Sequence, residues 1–371
     1  MVLEMVNNSQ YEYGYIHDAL LVEVDAMVRE GRKLVLGEEI VAAERALAEY
    51  AGCARAVAVG SGSDALYLAL RSIGVSGTEV ILPANVCVSL PEAILRAGAT
   101  PRFVDVRPDT WTLDPDLVSA TVQDRIGAII AVHVYGLPAD LDALVEIADS
   151  RGIALLEAAG QAFGARYRER PVGHWGTAGC YSFNPSKMNG AIGDGGALVT
   201  DDEALALRAH RTRDHGRDVE GGTAHFVGMS SRLDEINALV VRLKLQYIDE
   251  WVRRRHARGQ VYRELLSGVD GVTLQAFPPG RLSSVQRFSI RVPTSLRDRI
   301  RERLAERGIR TGGHYVPPYR MPAFESSLGI SGVPVTESLA ASTMSLPFYP
   351  EMTDGAMEFV VEALRDALGG T

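Results

Sequence analysis

The chain has 371 residues, 46% hydrophobic and 23% charged, with 47 acidic against 38 basic side chains and a net charge of −9. That length is long for a single core, and that charge excludes the basic face a nucleic-acid partner requires. No apolar run reaches the roughly 18 residues that span a bilayer, Met1 to Gln10 carries no basic start followed by an apolar stretch, and three scattered cysteines, Cys53, Cys87 and Cys180, fit buried positions in a reducing cytoplasm. From the N-terminus, Glu38 to Tyr50 reads as an amphipathic helix and Ala54 to Val59 as a buried strand. A glycine turn, Gly60 to Asp64, leads into a helical run from Ala65 to Ile73. Further strands are expected at Val80–Pro83, Arg102–Val106, Ile126–Val134, Ala154–Glu157 and Gly179–Phe183, with helices such as Pro91–Ala97 and Asp140–Ser150 between them. This alternation predicts an α/β fold, a mostly parallel central sheet with helices on both faces. The pattern changes near residue 233: a long, charged helical region (Leu233–Ser267) precedes a strand at Gln286–Val292 and a helix at Leu296–Arg307. The expected division is a large domain over 1–233 and a smaller C-terminal α+β domain over 234–371.

Three segments could carry chemistry. Lys187, in Ser182-Phe183-Asn184-Pro185-Ser186-Lys187, follows a strand and precedes a run with four glycines in seven residues, Gly190 to Gly196. A desolvated lysine is a neutral nucleophile that forms a Schiff base with an aldehyde; the alternative is a surface lysine in a glycine-rich loop. Gly60-Ser61-Gly62-Ser63 opens a helix, and free amides at a helix N-terminus suit phosphate; a plain N-cap by Ser63 is the alternative. Glu157 to Gln161 ends a central strand, where ligands gather in doubly wound sheets; Gln161 as a local cap is the alternative. His133, His215 and His314 read as structural, and no metal set is spaced along the chain.

In order, Gly60 to Leu66, Val80 to Asn85, Gly98 to Val106, His133 to Asp140, the Lys187 segment with Gly193-Asp194-Gly195-Gly196, Ser231 to Glu235, and His314-Tyr315 resemble the DegT/DnrJ/EryC1/StrS sugar aminotransferases, from about Val35 to Leu368. The resemblance implies a fold-type I pyridoxal-phosphate (PLP) architecture and a cytoplasmic homodimer with active sites shared at the interface. Lys187 would form the Schiff base. Gly62, Ser63 and Ser182 would hold the phosphate, Gln161 would bond the phenolic oxygen, and His314 and Tyr315 would face the substrate. Substrate specificity would lie in loops such as His215–Phe226 and Tyr315–Phe324.

Three departures surround the cofactor position. The family's E-D-A-A-Q run is here Glu157-Ala158-Ala159-Gly160-Gln161, so the acid that pairs with the pyridine nitrogen is Ala158. Glu157 faces the opposite side of its strand. Cys87 stands where an aromatic usually stacks on the ring, with Phe163 a possible alternative aromatic surface. Ser230 aligns with the asparagine that the partner subunit contributes in the family.

Three functions stay open on this reading. The first is amino transfer to a keto-sugar, nucleotide-sugar or cyclitol in secondary-metabolite or glycan biosynthesis. The second is a dehydratase, isomerase or cyclase on the same scaffold, using Lys187 with altered or no use of PLP. The third is a non-catalytic partner subunit.

Overall fold

The computed structural model describes residues 9–218, 222–324 and 332–369. Met1 to Asn8, and residues 219–221 of the His215–Phe226 loop, lie outside the described residues. Helices α1 (Ser9–Arg29) and α2 (Glu38–Ala51) open the chain, followed by β1 (Arg55–Val59), α3 (Gly62–Ile73) and β2 (Glu79–Pro83). The alternation continues with α4 (Ser89–Arg96), β3 (Thr100–Val104), α5 (Pro115–Thr121), β4 (Ile126–Val132), α6 (Leu141–Arg151) and β5 (Ala154–Ala158). A short hairpin, β6 (Arg166–Tyr167) and β7 (Arg170–Pro171), precedes β8 (Ala178–Ser182), β9 (Gly196–Thr200) and α7 (Glu203–Arg213).

Seven strands form one sheet in the order β1-β9-β8-β5-β4-β2-β3. β9 runs antiparallel to both its neighbours, and the other pairings are parallel. Both faces are covered, which is why the strands read as continuous apolar runs. Strand alternation divides them cleanly. In β5, Leu155 joins the core on one face and Leu156 the core on the other. In β4, Ile129 and Ala131 take the first face, and Ala128, Ile130 and Val132 the second.

Two strands end earlier than their composition suggests. β3 stops at Val104, and Val106 leaves the sheet to bridge Leu113. β4 stops at Val132 rather than Val134, because the next residues form a tight turn in which Tyr135 takes a left-handed conformation, φ 56°. The long helical region is two helices, α8 (Glu235–Leu245) and α9 (Ile248–Leu265).

The remaining elements are β10 (Thr273–Leu274), β11 (Arg281–Leu282), β12 (Phe288–Arg291), α10 (Arg297–Glu306), β13 (Gly312–Gly313), α11 (Pro334–Ser342), β14 (Thr343–Leu346) and α12 (Asp354–Gly369). β10-β12-β14-β13 make a small antiparallel sheet with its own core, including Tyr262, Ile290, Leu304, Leu346 and Val360. The two cores part within α9: Ala238 and Val241 of α8, and Ile248 and Val252 of α9, pack in the large one. The division expected at 233/234 marks a change of sequence pattern; the packing divides later. No helix among the described residues is long and apolar enough to cross a membrane.

Candidate active site

A cleft of about 290 Å³ opens at the carboxyl ends of β4, β5 and β8, over the second face of the sheet. It gathers Gly62, Ser63, Cys87, Ala158, Gln161, Ser182, Lys187 and Tyr315. These residues span more than 250 positions of sequence and meet only through the strand order.

One wall is the N-terminus of α3. The side chain of Ser61 caps it, accepting from the Asp64 amide at 3.1 Å. The cap is therefore Ser61 and not Ser63, which leaves the Ser63 hydroxyl on the cleft wall. Gly62 is required by close approach: a Cβ there would meet Ser182 Cβ at 2.6 Å. Its absence brings the first turn of α3 against the end of β8, so Ser63, Ser182 and the first amides of the helix face one space. Helix-terminal amides beside two hydroxyls are a donor set of the kind that suits a phosphate group.

The opposite wall carries Lys187. The turn that holds it is tied at several points. The Lys187 amide donates to the Asn184 carbonyl at 2.8 Å, and Gln286 Nε2 donates to the Ser186 carbonyl at 2.7 Å. Asn237 Oδ1 accepts from the amides of Ile192 and Gly193, both at 3.1 Å, anchoring the glycine run behind it. Burial lowers the Lys187 pKa from its ordinary value; Cys87 opposes this in part, and Arg287 lowers it by a smaller amount. No carboxylate pairs with the Lys187 amine among the described residues.

The chain holds only three lysines against 35 arginines, so the sequence alone offers few candidate amine nucleophiles. Lys33 is exposed. Lys244 is buried but paired, donating to Glu12 at 2.6 Å and to the Gly190 carbonyl at 2.7 Å. Lys187 is thus the one lysine placed to act as an amine nucleophile.

Gln161 is held from two sides. Its Oε1 accepts from the Tyr135 amide at 2.9 Å, and its Nε2 donates to the Tyr315 hydroxyl. The left-handed Tyr135 aims that amide at Gln161 while its ring lies parallel to Tyr315, 6.4 Å between centroids. Such backbone strain persists where the surroundings over-determine it. His314 lies behind this pair: the Tyr135 hydroxyl bonds its Nδ1, and burial pushes its pKa down to about 4. His314 is therefore neutral at pH 7 and does not line the cleft.

Phe163 does not supply the missing aromatic surface. It is buried on the other sheet face, stacked on Tyr50 at 5.2 Å and edge-on to Tyr181 at 4.8 Å. Tyr315 is the one aromatic ring among the described lining residues. Ser230 also stands apart, exposed, its hydroxyl accepting from Arg232 Nη2 at 3.0 Å. His133 is structural: it is fully buried, with Nδ1 accepting from the Ala139 amide at 3.0 Å. His215 is exposed in a left-handed turn. Cys53 and Cys87 are only half-buried, whereas Cys180 is buried at the cleft floor.

Folding also assembles Cys53, His174 and Asp201, whose ligand atoms lie within 4.8 Å of one another. Sequence spacing could not show that set. Burial pushes the Cys53 thiol up to about 12, so it stays protonated there and is a poor ligand as it stands.

A seven-stranded sheet of this order, with a lysine and a helix N-terminus lining one cleft at its carboxyl edge, is the fold of the fold-type I PLP-transferases. The profile of the DegT/DnrJ/EryC1/StrS aminotransferase family matches residues 15–365. The chain is similar to the erythromycin biosynthesis sensory transduction protein EryC1 of Saccharopolyspora erythraea, 41% identical over 89% of this chain and 90% of that protein. It is 38% identical to the dTDP-3-amino-3,4,6-trideoxy-alpha-D-glucose transaminase of Streptomyces venezuelae, over 94% and 93% of the two chains. The crystal structure of S. venezuelae DesV, solved with a ketimine intermediate, superposes with a TM-score of 0.92 at 37% identity, covering 97% of each chain. The chain belongs to the DegT/DnrJ/EryC1/StrS aminotransferase family, and that family implies PLP dependence.

Proposed function

We propose that this chain binds PLP on Lys187 and acts on a nucleotide-linked keto-sugar. The observation that carries the proposal is the placement of Lys187 across one cleft from the α3 N-terminus and Ser182. The residues fit the cofactor at three points. Ser63, Ser182 and the first amides of α3 suit its phosphate, Lys187 its aldehyde carbon, and Gln161 its phenolic oxygen. When bound, PLP supplies an aldehyde and an electron-accepting ring.

The chain's own contribution is position and proton handling. The lowered pKa leaves more of the Lys187 amine neutral than an exposed lysine would have, as attack on a carbonyl carbon requires. Lys187 Nζ is also the basic group in the cleft that would take a proton from a substrate carbon and return it. Gln161, fixed by the Tyr135 amide, presents its side chain at a set height above β5. Relatives named as transaminases of dTDP- and UDP-linked sugars support a substrate of that class. The half-buried Tyr315 and the exposed Ser230 fit a homodimer whose partner completes the cleft, and the free cysteines fit a cytoplasmic setting.

One observation favours a second reading, a non-transaminating enzyme on the same scaffold: Ala158 lines the cleft where an acid would pair with the ring. Supplying the protein with PLP, L-glutamate or L-glutamine, and dTDP- or UDP-linked 3-keto and 4-keto hexoses separates the two. Amino-sugar and 2-oxo acid formed in equal amounts support transamination. Conversion of the sugar without loss of the amino donor supports the second reading.

A further inference from the structure

We propose that this chain holds the ring nitrogen of bound PLP unprotonated, facing the Ala158 methyl and the Cys180 thiol, with no carboxylate opposite it. The proposal rests on the PLP reading above and concerns what the cleft floor is made of. Three adjacent parallel strands build that floor. Val132 of β4 is the register partner of Ala158 of β5, and Ala158 is the register partner of Cys180 of β8. All three line the cleft. The floor is therefore a row of alkyl groups ending in one thiol.

No neighbouring acid replaces the missing one. Glu157 is fully buried on the opposite sheet face, and its carboxylate already accepts four hydrogen bonds. The donors are His133 Nε2 at 3.1 Å and the amides of Gly173 at 2.7 Å, Trp175 at 2.6 Å and Gly176 at 3.0 Å. The one carboxylate among the described lining residues is Asp194, which is exposed at the rim and accepts from Asn184 Nδ2 at 2.9 Å. Asp64, under the α3 turn, is engaged by the Ser231 hydroxyl at 2.8 Å and by Arg96 at 3.2 Å. The remaining ionisable groups facing the cleft are Cys87, Lys187 and Tyr315, with Arg287 near Lys187. None of these is a carboxylate.

A pyridinium at this floor would be a desolvated cation without a counter-ion, and burial favours the neutral form of such a group. Cys180 suits the neutral form. Burial raises its pKa well above the ordinary thiol value, so it keeps its proton and offers a weak S–H donor. A lone pair on nitrogen can accept that proton; a pyridinium cannot. An unprotonated ring withdraws electrons less, so the floor favours reactions in which Lys187 carries more of the work.

The test uses PLP labelled with ¹⁵N at the ring, bound to the full-length protein and reduced onto it with borohydride. The wild-type ¹⁵N shift is expected at the free-pyridine position and constant from pH 6 to 8. In Ala158→Asp an opposing charge raises the nitrogen's pKa by about 1–3 units, and the signal moves to the pyridinium position. Cys180→Ala is expected to move the wild-type signal slightly further from the pyridinium position. A wild-type signal at the pyridinium position, with PLP bound, overturns the proposal and leaves the PLP reading intact. Failure to incorporate labelled PLP at all overturns both.

Discussion

Glu157 and His133 form a fully buried pair, Nε2 to Oε2 3.1 Å, on the sheet face away from the cleft. The Ala139 amide donates to the other ring nitrogen at 3.0 Å. The imidazole proton is therefore on Nε2, pointing at the carboxylate. Three amides from the Gly173–Gly176 turn complete the shell of Glu157. The glutamate next to Ala158 thus ties β4, β5 and the turn before β8 together and has no capacity left for a ligand.

Glu157→Ala should destabilise the fold strongly. It leaves two buried donors, His133 Nε2 and the Gly173 amide, and the part-buried amides of Trp175 and Gly176 without an acceptor, and each unsatisfied buried group costs about 1–3 kcal/mol. Glu157→Gln should lose less. Urea midpoints measure both, and a midpoint unchanged in Glu157→Ala would show that this shell is not structural.

Gly62→Ala should weaken cofactor binding more than folding. The added methyl meets Ser182 Cβ at 2.6 Å, and overpacking of this kind costs about 1–3 kcal/mol. The first turn of α3 must shift from β8 to relieve it, opening the phosphate seat. Fluorescence titration with PLP should show a dissociation constant raised about tenfold or more, since each tenfold is about 1.4 kcal/mol. An unchanged constant would place the phosphate elsewhere.

Tyr315 should matter through its ring. Tyr315→Phe loses the hydroxyl that Gln161 bonds but keeps the aromatic face. Tyr315→Leu loses both. Aromatic stacking is worth about 0.5–1.5 kcal/mol, so the leucine variant should bind PLP several-fold more weakly than the phenylalanine variant. Equal binding by the two would remove Tyr315 as the replacement for the aromatic missing at Cys87.

Acid should destabilise the protein through His314. Its folded pKa lies near 4, against an ordinary value of 6.5, because burial and the nearby Arg297 and Arg287 disfavour the charged form. Between those values the unfolded chain binds more protons, so stability falls as pH drops from about 6.5 to about 4. His210, lowered to about 4 by burial and Arg213, adds to the same slope. At 1.36 kcal/mol per unit, over a shift from 6.5 to about 4, the His314 effect is at most about 3.4 kcal/mol. His314→Gln should flatten part of the slope in urea midpoints measured from pH 7 to 4; an unaltered slope would mean the imidazole is not buried neutral.

Much of this was legible in sequence because it depends on local pattern. Continuous apolar strands between amphipathic helices specify a sheet covered on both faces, and Ser182 to Lys187 with its glycines marks the turn that carries Lys187. What sequence hid depends on registers between distant segments. Cys180 lies opposite Ala158 only because β8 pairs with β5. Phe163 is two residues past Gln161, yet its ring falls in the other core, among Tyr50 and Tyr181, because the chain turns sharply after β5. The cap on α3 passed from Ser63 to Ser61 because the close approach of Gly62 to Ser182 starts the helix at Gly62.

Lys187 is the residue proposed to bind PLP. The most direct measurement is to add PLP to the purified protein, record its visible spectrum, reduce with borohydride and map the modified peptide by mass spectrometry. One modified lysine is expected, Lys187, with Lys33 and Lys244 untouched, and loss of the visible band in Lys187→Ala. A protein that gains no band and no label, or that is labelled on Lys33 or Lys244 instead, would contradict this assignment.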